Sequence, residues 1–261
     1  MALEGFEATE FSHDGAARTV YRRGSGPGVV VMHEIPGITP EVARFARIVA
    51  DDGFTVYLPH LFGTPNKPLS VGYMLGQMAR ACISREFSVL ARGESSPITD
   101  WLRALCRRAH AECGGPGVGA IGMCLTGNFA LSLMVDEAVM APVLSQPSLP
   151  FPLSKSHKRA LHLSEADLEV VKKRARQGCG VLGMRFTGDP NCPPERFERL
   201  REELGDGFEG IEIDSNQIET RGIGPAHSVV TTELVDEAGH PTRQALDRVL
   251  ALFRERLKPG A

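Results

Sequence analysis

Short apolar runs alternate along the chain with amphipathic stretches, the pattern of βαβ units around a mostly parallel sheet. Gly28-Val29-Val30-Val31-Met32-His33 is a continuous β-branched run, as a strand covered on both faces requires. After a turn at Pro36-Gly37, Val42, Phe45, Ala46, Val49 and Ala50 recur at three- and four-residue spacing, which predicts a helix over 40–52 stopped by Gly53. Residues 54–58 read as the next strand, closed by Pro59. Ser96-Pro97 opens a second long helix with Ile98, Trp101, Leu102, Leu105 and Ala109 on one face. Further strands are predicted over 118–123, 138–144, 180–187 and 208–214, and further helices over 127–135, 164–176, 194–204 and 241–257. Residues 64–95 fit a helix and an irregular loop about equally. With no internal repeat, low-complexity tract or long linker, residues 1–261 read as a single α/β domain.

Composition narrows the function classes. Lys and Arg number 29 against 32 Asp and Glu, a formal charge of −3, so no basic footprint exists for a phosphate backbone and no nucleic-acid partner is expected. No apolar run approaches the roughly 20 residues of a membrane helix. Met1 to Phe11 carries Glu4, Glu7 and Glu10 without a basic leader region, so no export signal is read there. Six cysteines in 261 residues are too sparse for a disulfide scaffold, and reduced thiols in the cytoplasm are expected. The chain lacks a C-x-x-C pair, an H-E-x-x-H helix and a G-x-G-x-x-G turn, so neither a metal nor a cofactor is expected.

The segment Ala120-Ile121-Gly122-Met123-Cys124-Leu125-Thr126-Gly127 runs from a strand through a tight turn into a helix. That is the layout of a nucleophile elbow, in which small flanking residues let strand and helix approach and the helix N-terminus favours negative charge. The second glycine position holds Thr126, with Gly127 one place later. In α/β-hydrolases the acid follows the nucleophile and the histidine comes last. Asp189 in Gly188-Asp189-Pro190 lies just past a predicted strand, and His227 in Ala226-His227-Ser228 lies in a Gly/Pro-rich loop before the last helix. His240, beside Pro241, is the rival base. Upstream, His33-Glu34-Ile35-Pro36-Gly37 follows the first clear strand. The backbone N–H groups of Ile35 and Leu125 are candidates for an oxyanion hole, and a Glu34 carboxylate beside Cys124 would disfavour its thiolate.

Taken together, H-E-I-P-G, G-M-C-L-T-G, G-D-P and A-H-S resemble the dienelactone hydrolase family of the α/β-hydrolase superfamily, over most of the chain from about Val29. The resemblance implies an α/β-hydrolase fold with helices on both faces of a mostly parallel sheet. It also implies a triad of Cys124, His227 and Asp189, with Glu34 gating the thiol until substrate displaces it. The thiolate would attack an ester or lactone carbonyl, and water would discharge the thioester. Dienelactone-cleaving members carry an arginine four residues after the histidine, where this chain has Thr231. Arg85 is the candidate anion clamp in its place, and 151–180 is longer than the expected connection, as a cap or insertion would be. The expected partner is a small ester or lactone, met by a monomer or homodimer. The competing reading is a non-catalytic protein on the same fold that binds small ligands or senses oxidants through Cys124.

Overall fold

The computed structural model describes residues 3–83, 97–148 and 154–258. Among them, eight strands form one sheet in the order β1-β2-β4-β3-β5-β6-β7-β8. Strands β1 (Glu7–His13) and β2 (Ala16–Arg23) are a hairpin, and β2 pairs antiparallel with β4 (Thr55–Pro59). From β4 onward through β3 (Gly28–Met32), β5 (Val118–Met123), β6 (Val139–Ser145), β7 (Val181–Phe186) and β8 (Phe208–Ile213), every pairing is parallel.

The crossovers put helices on both faces of the sheet. Helices α1 (Pro40–Asp51) and α8 (Pro241–Leu257) cover one face with Val42, Phe45, Val49, Leu246, Val249 and Phe253. Helices α3 (Pro97–Cys113), α4 (Gly127–Leu133) and α7 (Pro194–Leu204) cover the other with Trp101, Leu105, Phe129, Phe197 and Leu200. Side chains alternate across a strand, so β3 sends Val29 and Val31 into the first core and Val30 and Met32 into the second. This is why β3 reads as an unbroken apolar run. Parallel strands all deliver their carboxyl ends to one edge of the sheet, where the loops after β3, β5, β6 and β7 meet.

The stretch 64–95 contains a helix, α2 (Val71–Ile83). Within 151–180, a short helix α5 (Lys155–Arg159) precedes α6 (Glu165–Arg176), capped by the Ser164 hydroxyl, which accepts from the Asp167 N–H at 3.0 Å. Helix α6 is the crossover from β6 to β7. It buries Val171 and Ala175 in the second core, and its Arg174 guanidinium donates to the Val139 carbonyl at 2.9 Å. This part of the stretch therefore flanks the sheet. Among the described residues, no helix is long and apolar enough to cross a membrane.

Candidate active site

Strand β5 ends at Met123, and the next residue, Cys124, turns the chain with φ of 56°. Side chains rarely adopt that region, and such strain concentrates at functional turns. A 3-10 turn over Cys124–Thr126 then leads directly into α4. A Cβ on Gly122 would lie 2.0 Å from the Thr126 carbonyl oxygen, and one on Gly127 2.8 Å from Pro147 Cα, so both close approaches require glycine. Thr126, which breaks the simplest form of the elbow pattern, is used as a brace. Its hydroxyl accepts from the Met123 N–H and donates to the Met32 carbonyl, each at 2.9 Å, tying the elbow to the end of β3.

Asp189 and His227 come together at this elbow. His227 Nδ1 lies 2.7 Å from Asp189 Oδ2. An ionised carboxylate only accepts, so Nδ1 carries the proton and Nε2 is the ring nitrogen left without one, in a ring that lines the same cavity as Cys124. Burial opposes the charged ring, but the Cys124 and Asp189 charges and hydrogen bonds outweigh it and raise the His227 pKa well above the ordinary value. The second Asp189 oxygen accepts from the Asn191 N–H at 2.9 Å. The buried Arg185 on β7 gathers the same loop, donating to the carbonyls of Phe186 and Cys192 at 2.9 Å while its Nε donates to Glu212 at 2.9 Å.

The loop after β3 supplies two buried ionisable groups. His33 is fully buried, and its pKa is pushed down to about 3 by burial. Its Nε2 accepts from the Leu61 N–H at 3.1 Å, which leaves Nδ1 to donate to the Glu34 carbonyl at 3.0 Å. The Glu34 carboxylate is 4% exposed and accepts from Ser228 Oγ at 2.6 Å, from Gln146 Nε2 at 3.1 Å and from the Thr231 hydroxyl. Burial raises the Glu34 pKa, partly offset by the Ser228 and Thr231 hydroxyls, the His227 charge and the Gln146 amide. These partners differ from the expectation of a carboxylate turned to the thiol. Thr231, which stands where dienelactone-cleaving members carry an arginine, is one of them.

Cys124, His227, Ile35 and Leu125 line one cavity of about 170 Å³ with Met74, Pro190, Ile223 and Pro225. Leu125 belongs to the first turn of the elbow's helix, where backbone N–H groups lack partners within the helix. His240 is elsewhere: it caps α8, and its Nδ1 accepts from the Thr242 N–H at 3.3 Å. Arg85 lies outside the described residues. Among the described residues, no group of His, Cys, Asp and Glu is placed to hold a metal ion. Gln146, Ser228, Thr231 and Arg185 were not singled out from sequence as parts of this network. Ser228 and Thr231 stand within four positions of His227, but nothing local marks Gln146 or Arg185.

Comparison with known proteins bears on the family and the fold. Residues 16–202 match the dienelactone hydrolase family. A Saccharomyces cerevisiae protein named "Putative carboxymethylenebutenolidase" is 25% identical over 188 residues, which cover 71% of this chain and 66% of that protein, just under two thirds of its length. A crystal structure of a "Putative Dienelactone Hydrolase" from Klebsiella pneumoniae superposes with a TM-score of 0.62 at 18% identity, covering 96% of this chain and 99% of that one. A dienelactone hydrolase-like promiscuous phosphotriesterase from metagenomic libraries superposes with a TM-score of 0.60 at 16% identity, covering 97% and 98% of the two chains. With the family matched over most of its length, this chain belongs to the dienelactone hydrolase family and has the α/β-hydrolase fold.

Proposed function

We propose that the protein hydrolyses small esters or lactones through Cys124 as nucleophile, His227 as general base and acid, and Asp189 as the group that orients His227. The observation that carries this reading is the Asp189–His227 hydrogen bond at a cavity that His227 and Cys124 line together. His227 Nε2 takes the thiol proton, and the sulfur attacks the carbonyl carbon. Negative charge then develops on the carbonyl oxygen, facing the N–H groups of Ile35 and Leu125. Collapse of this intermediate breaks the carbon–oxygen bond, the leaving alkoxide takes the proton from His227, and a thioester remains. Water, deprotonated by His227, attacks the thioester, and the thiolate departs with release of the carboxylic acid.

The cavity lining favours a small, largely apolar acyl group, since Ile35, Met74, Leu125, Pro190, Ile223 and Pro225 dominate it. Arg85 is retained in this reading as the clamp for a substrate carboxylate. Its alanine variant should then lose carboxylate-bearing esters while keeping neutral ones. The reading is tested by assaying short-chain aryl esters and simple lactones with the wild type and Cys124→Ala. Turnover that vanishes in Cys124→Ala supports it, and turnover retained at the wild-type rate removes Cys124 from the mechanism.

A further inference from the structure

The loop after β3 and the loop carrying His227 are joined by a set of buried bonds that the triad does not use. Both oxygens of Glu34 are occupied: Oε2 accepts from Ser228 Oγ at 2.6 Å and Gln146 Nε2 at 3.1 Å, and Oε1 accepts from Thr231 Oγ1. The other end of the Gln146 amide, Oε1, accepts from the Val229 N–H at 3.3 Å and from the Ser145 hydroxyl. Glu34 and Gln146 between them therefore hold Ser228, Val229 and Thr231, three of the four residues that follow His227. From outside, Arg44 Nη2 donates to the Thr231 carbonyl at 3.0 Å. Glu233 closes the turn: its carboxylate accepts from the N–H groups of Arg221 at 2.7 Å and Gly222 at 3.0 Å, and its own N–H donates to the Ser228 carbonyl at 3.0 Å.

We propose that Glu34 is a positioning residue, a fixed acceptor that holds the 228–231 turn and so keeps His227 over Cys124, and that the nucleophile–base pair is assembled before substrate arrives. This rests on the assignment of Cys124 and His227 as nucleophile and base. A carboxylate that gated the thiol would have to swing to it and leave. Here that swing would strip the acceptor from three donors, Ser228, Thr231 and Gln146, all of them buried. The hydroxyl of Thr231 suits the static role. It satisfies the carboxylate with a short, neutral donor on the same turn as the base, and no charged partner has to be exchanged when substrate enters.

The two roles predict opposite signs in one experiment. The rate of Cys124 carbamidomethylation by iodoacetamide at pH 7, without substrate, is read by mass spectrometry, alongside kcat and KM for an aryl acetate. If Glu34 positions His227, Glu34→Gln is alkylated between about tenfold and about a hundredfold more slowly than wild type, with a matching fall in kcat and little change in KM. Thr231→Val shifts in the same direction, and Thr231→Ser, which restores the hydroxyl, returns toward wild type. Alkylation of Glu34→Gln at or above the wild-type rate overturns the proposal. Should Glu34→Gln fail to fold, the Thr231 pair decides: equal rates in Thr231→Val and Thr231→Ser overturn it. His227→Ala separates this from the underlying reading, because alkylation as fast as wild type in that variant removes the base itself.

Discussion

His227 Nδ1 stands 2.7 Å from Asp189 Oδ2, a contact that joins the loop after β7 to the loop before α8. The carboxylate fixes which ring nitrogen carries the proton, and in the proposed mechanism it stabilises the imidazolium that forms when the thiol is deprotonated.

Asp189→Asn tests that role with little change in shape. An amide can present its N–H to Nδ1 and so hold the ring in the wrong tautomer, with the proton on the nitrogen facing Cys124. The expected result is a fall in kcat of about three to four orders of magnitude, by analogy with triads in which the acid was changed to its amide. Steady-state kinetics on an aryl ester measures it, and a fall of less than tenfold would show that His227 does not depend on Asp189.

A second expectation concerns acid stability. His33 is buried and neutral, with its pKa pushed down to about 3, whereas in the unfolded chain it titrates near its ordinary value of 6.5. Between these values the unfolded state binds the extra proton, so stability falls as pH drops below about 6.5 and rises as pH is raised. One proton corresponds to about 1.4 kcal/mol per pH unit. His33→Gln can still accept from the Leu61 N–H but does not titrate. Urea unfolding at pH 7, 6 and 5 should therefore show wild type losing stability relative to His33→Gln on acidification. Parallel curves would show that His33 is protonated in the folded protein.

Gly122→Ala addresses the elbow. The added Cβ would meet the Thr126 carbonyl oxygen at 2.0 Å, and a backbone atom at a helix start cannot yield as a side-chain tip can. Either β5 or α4 must move, and the Thr126 hydroxyl bonds to Met123 and Met32 go with them. Destabilisation of about 2 kcal/mol or more is expected, with turnover falling further than stability alone explains. Thermal unfolding and kcat together check this, and a fully active variant of wild-type stability would contradict the close approach.

Much of this arrangement is legible in the chain before folding. Strands β3 to β7 carry buried, largely apolar runs, because strands covered on both faces must be apolar, whereas the edge strand β8 leaves Glu209 and Glu212 exposed. Cys124, Asp189 and His227 are legible because each sits at the carboxyl end of a strand or in a turn-rich loop, in one particular order. The hairpin β1–β2 is not. Its outer strand, Glu7–His13, is an edge with alternating exposure and no sustained apolar run, and only Asp14-Gly15 marks the turn. Helix α2 is obscured by Gly72 and Gly76, both weak helix formers. The partners of Glu34 are invisible for a different reason: Gln146 and Thr231 lie 112 and 197 positions away, the first brought near by β6 standing next but one to β3, the second by the loop before α8.

The central claim is that Cys124 forms and discharges an acyl-enzyme. Intact-mass spectrometry after brief exposure to an activated ester tests it most directly, with wild type and Cys124→Ala compared over time. The account predicts an adduct of the acyl mass on wild type that appears, decays as product accumulates, and never forms on Cys124→Ala. Turnover by wild type with no adduct under rapid quenching, or the same adduct on Cys124→Ala, would contradict it.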